Sequence, residues 1–210
     1  IPQYVEAIFL TLHLAFYGIV LSLLLGLSCS LLIYYRIPVL KSIAVGYIEL
    51  SRNTPLLVQL FFLYFGLPKL GIYISSEICA VLGLTFLGGS YMAEAFRSGL
   101  EAVEKSQIEA GQSIGLSKIQ LIRYIVLPQA ISTSIPPLCA NTIFLIKETS
   151  LFSAVALADL MYVAKDLIGL YYKTDEALVM LVVAYLIILL PISLLAAWLE
   201  RKVRYAGFGD

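Results

Sequence analysis

Arg52, Asn53 and Thr54, followed at once by Pro55, stand inside an apolar run from about 43 to 67 that also holds Glu49. Their side chains can pair with and hydrogen-bond a small solute, but no nucleophile and base come with them. A second polar cluster, Ser132, Thr133, Ser134, Asn141 and Thr142 around Pro136 and Pro137, interrupts another apolar run. Glu77, Glu148 and Asp159 are the carboxylates best placed to meet a cationic group. The chain has no H-E-x-x-H, no G-x-S-x-G, no paired Asp within an apolar run and a single histidine, His13. No catalytic residue and no metal site is expected, and the chemistry on offer is recognition and passage.

These residues need elements to hold them, and the composition says which. Of 210 residues 60% are hydrophobic and 13% charged, about half the charged share of a soluble domain. A helix crosses a membrane with roughly 20 apolar residues. Five such runs are present, at about 7–35, 43–67, 76–96, 128–146 and 177–199, predicting a single all-α polytopic membrane domain over 1–210. The first run is too long for the core of a cleaved signal and is expected to remain as a span. The second is expected to be interrupted, because Pro55 removes a donor and strains the preceding turn. Irregular backbone at that depth is tolerated where protein buries it or where it lines a cavity. Polar groups there mark function by default, and two broken helices facing one cavity resemble a transporter midplane site. For the fourth span packing is the rival reading, since Ser, Thr and Pro are common at helix interfaces in membranes.

Charge placement gives an orientation. Arg36, Lys41, Arg97, Lys105, Lys118, Arg123, Arg201, Lys202 and Arg204 fall on one side, and only Lys69, Lys147, Lys165 and Lys173 on the other. The positive-inside rule then puts the N-terminus outside and the C-terminus in the cytoplasm. Net charge is zero, from 14 basic and 14 acidic residues, so no basic excess points to nucleic acid. Cys29, Cys79 and Cys139 each sit in an apolar run and read as buried thiols. His13 reads as an interface residue, and Trp198 with Tyr205 and Arg201 to Arg204 as an interfacial anchor in lipid.

The segment 97–127 is the exception to this apolar character, with seven charged residues between Arg97 and Arg123. Ser106 with Glu109, and Ser117 with Gln120, fit capping boxes, the second flanked by Leu116 and Leu121 at staple positions. Two short helices meeting at Gly115 are predicted, with Gly115 as the left-handed stop and Pro128 opening the next span. A short helix is marginal alone in water, so a partner surface is one reading of this segment and a solvated linker the other. Glu94 and Arg97 are three apart on one helical face and should form a structural ion pair.

Within it Glu109, Ala110 and Gly111, then Gly115, then Ile125, Leu127 and Pro128 resemble the EAA loop of ABC-transporter permease subunits. Their pattern is Glu-Ala-Ala, three residues, Gly, nine residues, Ile, any residue, Leu, Pro, and Gly111 is the one departure. Arg52 to Gln59 resembles the Arg-Gly-Thr-Pro-Leu-Leu-Val-Gln signature of the polar amino-acid uptake branch, with Asn53 in place of Gly. Lys147 to Leu151 resembles a third segment of that branch, and Tyr91, Glu94 and Arg97 extend the likeness.

The resemblance implies a type I importer permease of the histidine, arginine or glutamine uptake branch, in a bacterial-type cytoplasmic membrane. Ser106, Glu109, Ala110, Gly111, Gly115 and Leu116 would form the coupling helix that docks a cytoplasmic ATPase dimer. Gly111, being small, would also let another surface approach closely. The chain lacks a G-x-x-x-x-G-K-[ST] loop, so ATP and Mg would be held by that ATPase and no cofactor by this chain. A second permease subunit, identical or related, and an extracytoplasmic solute-binding protein are the other implied partners. Arg52, Asn53, Thr54, Asn141, Thr142, Glu148, Asp159 and Glu77 would form the pathway. Seven carboxylates against four lysines on the outer side would draw a cationic amino acid such as arginine, lysine or histidine. Glu148 and Asp159 flank Leu151 to Ala158, which with 160–172 is expected to lie at or dip into the outer surface as a gate. A secondary transporter or channel working alone is the rival that the coupling loop disfavours.

Overall fold

A computed structural model describes residues 2–207 of the chain, and within it four helical runs are long and apolar enough to cross a membrane. They are α1 (Pro2–Tyr34), α4 (Ser76–Glu101), the run Lys118–Val155, and α9 (Thr174–Gly207). The span at 43–67, expected to be interrupted, is two pieces, α2 (Leu40–Arg52) and α3 (Leu56–Phe61), the latter running on through a π turn and a 3-10 turn to Leu70. Short helices α5 (Lys105–Ser113), α6 (Lys118–Leu121) and α8 (Leu160–Tyr171) complete the set, and α7 (Leu127–Glu148) is the main part of the third long run.

The α1–α4 pair is the spine, and small residues make it close. A Cβ on Gly26 would stand 2.7 Å from the Ala93 amide nitrogen, and one on Gly18 2.6 Å from Leu84. Without a hydrophobic drive between helices in lipid, such backbone approach supplies the packing. The Ser22 hydroxyl sits in this seam, donating to the Gly18 carbonyl at 2.7 Å. On the other side of α4, Gly99 packs against Ser134 and the Ala130 carbonyl of α7.

The break between α2 and α3 follows from Pro55. Helix α2 stops because a proline cannot donate to the i−4 carbonyl and its ring collides with it. The carbonyls freed at this break are taken up locally. Asn53 donates to the Glu49 carbonyl at 2.8 Å, Thr54 to that of Leu50 at 2.8 Å, and Gln59 to those of Ser51 and Thr54 at 3.3 and 2.9 Å. Backbone polar groups within a membrane are therefore met by side chains, as they must be. Tyr47 and Ser51 both donate to the Phe86 carbonyl at 2.7 Å, fastening α2 to α4.

Pro128 stands in the first turn of α7 as expected, but α7 is not separate from what precedes it. Residues 118–155 are continuous, with a π turn at Ile122–Val126 just before it. The wider turn accommodates a residue without an N–H. Beyond α7, the 3-10 turn Thr149–Val155 folds inward, and Phe152 and Val155 are wholly buried beside Leu56, Leu60, Leu84 and Leu145. The stretch expected to lie at or dip into the outer surface thus dips inward at Phe152, Val155 and Leu157, while Ala156 and Ala158 stay exposed. Cys29 and Cys79 are buried and Cys139 half-buried, all unpaired. Lys202 lies 5.1 Å over the Trp198 ring, whereas Arg204 and Tyr205, the rest of that expected anchor, lie outside the described side chains.

Candidate pathway and coupling segment

The break, α4 and the end of α7 together line an open cavity of about 270 Å³. Arg52, Asn53 and Thr54 line it from one side, Tyr91 from α4, and Phe144 and Glu148 from α7. Four of the sequence-expected pathway residues thus meet. Arg52 and Glu148 are the two charged side chains in that wall, and they come from different elements. The Arg52 guanidinium lies 5.6 Å from the Tyr91 ring centre and 3.7 Å from Glu94. Such a wall can hold a small solute carrying both an anionic and a cationic group. Asn53 and Thr54 already spend donors on α2 carbonyls, so they shape the site as much as they offer contacts.

The other four expected pathway residues are placed elsewhere. The Asn141 amide donates to the Tyr91 carbonyl at 3.0 Å, bolting α7 to α4 behind the cavity wall. Thr142 donates to the Leu138 carbonyl at 2.9 Å and faces an apolar groove with His13 and Phe16 of α1. Glu77 is exposed in the first turn of α4 and lines no part of this cavity. Asp159 has no exposed surface. It is the N-cap of α8, accepting from the Tyr162 amide at 2.9 Å, an isolated acid drawn inward by the fold of its loop.

Burial pushes the Asp159 carboxyl from 3.8 up to about 6, overcoming the pull of the Tyr162 and Met161 amides and of Lys165. Because the folded state favours the protonated acid, its stability contribution is complete below pH 3.8, falls through 6 and is lost above it. The difference corresponds to about 3 kcal/mol. Asp159→Asn keeps a capping oxygen and removes the charge. It is expected to raise the thermal midpoint of the purified protein at pH 8 and leave it near the wild-type value at pH 4. Equal losses at both pH values would refute this.

The α5–α6 corner takes the expected form with one correction. Gly115 has φ +84°, its amide meets the Gln112 carbonyl at 2.9 Å, and the Leu116 amide meets that of Gly111 at 3.1 Å. This is a Schellman stop. The Ser117–Gln120 capping box is complete. Ser106 is not the cap of α5, however: Glu104, in extended backbone, holds that position, and the Ser106 hydroxyl donates to the Glu104 carboxylate at 3.0 Å. The Ser106–Glu109 box is therefore absent. Glu109 and Ala110 are exposed, and among the described residues no side chain partners the Glu109 carboxylate.

Gly111 is buried, and a Cβ there would come within 2.5 Å of Leu121 and 2.7 Å of Ile125. The surface that approaches it closely is this chain's own next turn. Gly111→Ala needs only two side-chain ends to shift, whereas Gly111→Leu overfills the corner, at a cost of about 1–3 kcal/mol. The Leu variant should lower the thermal midpoint of the purified protein while the Ala variant stays near wild type, and equal midpoints would contradict this packing. Ile114 and Ile119, 79% and 77% exposed on either side of Gly115, went unremarked in the sequence because neither breaks a pattern. Gln59, which fills the helix break, closes the Arg52 to Gln59 signature, but nothing in that resemblance says that its amide caps the break.

The helical domain thus carries an open cavity at a helix break and a glycine-stopped surface corner. Residues 18–205 match the family described as binding-protein-dependent transport system inner membrane component, and the chain belongs to that family of ABC-transporter permease subunits. It is 38% identical over 201 residues to the probable glutamine ABC transporter permease protein GlnP of Bacillus subtilis, covering 96% of this chain and 87% of that one. With the glutamine transport system permease protein GlnP of Escherichia coli K12 it shares 32% over 206 residues, 97% and 94% of the two chains. A crystal structure of an amino acid ABC transporter with histidines superposes with a TM-score of 0.89 at 33% identity, covering 96% and 94%. An inward-facing MetNI methionine transporter, at 20% identity and TM-score 0.78, shares the fold. As in the rest of the family, ATP hydrolysis belongs to a separate ATPase subunit.

Proposed function

We propose that this permease passes a polar amino acid through the cavity at the α2–α3 break, with Arg52 taking the α-carboxylate and Glu148 the ammonium group. The observation that carries the reading is the meeting of these two opposite charges, from elements far apart in sequence, across one small cavity. A free amino acid offers the matching pair at one carbon. With Glu148 occupied by the ammonium, a neutral polar side chain of the glutamine kind is the best fit, and the names of the relatives support it. A basic amino acid is the second reading, favoured by the acidic outer side and by the solved transporter described with histidines.

Alternating access would run between a side with the N-terminus and a cytoplasmic side with the C-terminus, α5 docking the ATPase dimer there through Glu109 and the exposed isoleucines. ATP and Mg would be bound by that dimer, a solute-binding protein would deliver the solute, and a second permease subunit would complete the pathway. Arg52, Asn53, Thr54 and Glu148 are the pathway residues in this reading; Asn141, Thr142, Asp159 and Glu77 support the fold around it. The test is substrate stimulation of ATP hydrolysis in the reconstituted complex, screened with glutamine, glutamate, arginine, lysine and histidine. Stimulation by glutamine that Glu148→Gln weakens supports the reading. Stimulation by arginine alone selects the second, and stimulation by none sinks both.

A further inference from the structure

Leu87, Tyr91, Glu94, Arg97 and Glu101 follow one another on α4 at intervals of three and four residues, which puts them on one stripe of the helix. The first two line the cavity. The last lies in the final turn of α4, three residues before Glu104, the cap of α5. Tyr91 and Glu101 are thus separated by about 15 Å of helix rise, and charge fills the interval. Arg97 clasps Glu94 through both its oxygens, Nε at 3.3 Å and Nη2 at 2.6 Å, and its Nη1 reaches Glu101 at 2.8 Å. Arg52 approaches the same Glu94 oxygen at 3.7 Å, beyond hydrogen-bond reach.

Glu94 is therefore shared unequally. Arg97 holds it by a bidentate, charge-assisted pair, the strong kind, while Arg52 only faces it across a gap. The Arg52 side chain is 43% exposed and opens onto the cavity. A carboxylate arriving there would offer Arg52 direct hydrogen bonds that Glu94 does not. We infer that Glu94 is the resident anion that the substrate carboxylate displaces from Arg52, so that Glu94 sets the affinity of the site. Through Arg97 and Glu101 it also reports occupancy to α5. This rests on the assignment of Arg52 as the carboxylate ligand. Glu94 touches no substrate in this scheme; it is a positioning residue.

The competition has a signed consequence. Removing the competitor's charge should tighten substrate binding while uncoupling it from the ATPase, which a merely structural glutamate would not do. The experiment uses the permease–ATPase complex, with radiolabelled glutamine and arginine as probes for equilibrium binding and with ATP hydrolysis measured in parallel. Glu94→Gln should lower Kd about threefold, the scale of a half-exposed ion pair, and lose most of the substrate stimulation of hydrolysis. Glu94→Asp should restore stimulation. Should Glu94→Gln fail to assemble, Arg97→Lys loosens the clasp on Glu94, strengthens it as competitor and should raise Kd by about the same factor. An unchanged or weaker Kd in a folded Glu94→Gln complex, or an unchanged Kd in Arg97→Lys, overturns the exchange. If Arg52→Ala loses binding while those variants leave it unchanged, only the exchange falls. If Arg52→Ala binds both probes like wild type, or wild type binds neither, the reading beneath it falls instead.

Discussion

Glu109→Lys is expected to abolish ATP-driven uptake and co-purification of the ATPase while leaving the thermal midpoint of the isolated permease within a degree or so of wild type. The side chain is exposed and, with Glu104 rather than Ser106 capping α5, it does nothing for its own helix that the structure records. It stands instead on a helix held rigid from behind. The Schellman stop at Gly115, the Ser117–Gln120 box and the contact of Gly111 with Leu121 and Ile125 fix α5 against the start of the long run 118–155. A force applied at Glu109 therefore reaches that run without being absorbed by a loop. In the proposed docking Glu109 would pair with a cation of the ATPase, and truncating one side of such an interfacial charge pair costs roughly 2–5 kcal/mol, reversing it no less. That corresponds to loss of affinity by on the order of a hundredfold or more. Glu109→Gln should fall between the two. Full co-purification and uptake in Glu109→Lys would return α5 to the solvated-linker reading, and the exposed Ile114 and Ile119 would then be the surface to alter next.

Local chemistry was legible in the sequence and tertiary placement was not. Gly115, Ser117 and Gln120 act through bonds spanning three to five residues, so their spacing alone announces the corner. The Glu94–Arg97 pair is readable for the same reason and is present at 2.6 Å. The cap of α5 was misplaced by two residues because a glutamate in extended backbone served where a serine was expected. Thr142 faces away from the cavity because Phe144 and Glu148 line it, and two residues of the same helix turn Thr142 about 200° from Phe144. Asp159 looked like an accessible outer carboxylate, since nothing in Leu151 to Ala158 says that Phe152 and Val155 plug the core and carry the following cap inward. Asn53 and Thr54 read as groups for a solute in the sequence; the helix end that claims their donors is created by Pro55, and only the finished break shows that claim.

Arg52→Ala is the second substitution with a large expected effect, and it separates the cavity from the coupling segment. The guanidinium has no hydrogen bond of its own among the described residues, only the 3.7 Å approach to Glu94 and its place beside Tyr91. Removing it should therefore cost the fold little, since Glu94 retains Arg97 and the α2 carbonyls retain Asn53, Thr54 and Gln59. The cost falls on the solute. A carboxylate left in a small cavity beside Phe144 and Leu151 without its cation loses a charge-assisted pair and faces Glu148 alone. By the scale of hydrogen bonds to charged groups, about 1.5–3 kcal/mol, binding should weaken on the order of tenfold to a hundredfold. Co-purification of the ATPase should be unaffected, the reverse of the separation that Glu109→Lys gives, in which the solute still binds and the ATPase is lost. Arg52→Lys retains the charge but not the planar fork and should recover only part of the affinity. Wild-type binding in Arg52→Ala would move the solute out of the α2–α3 break altogether, leaving that break as a structural device and Tyr91 as packing.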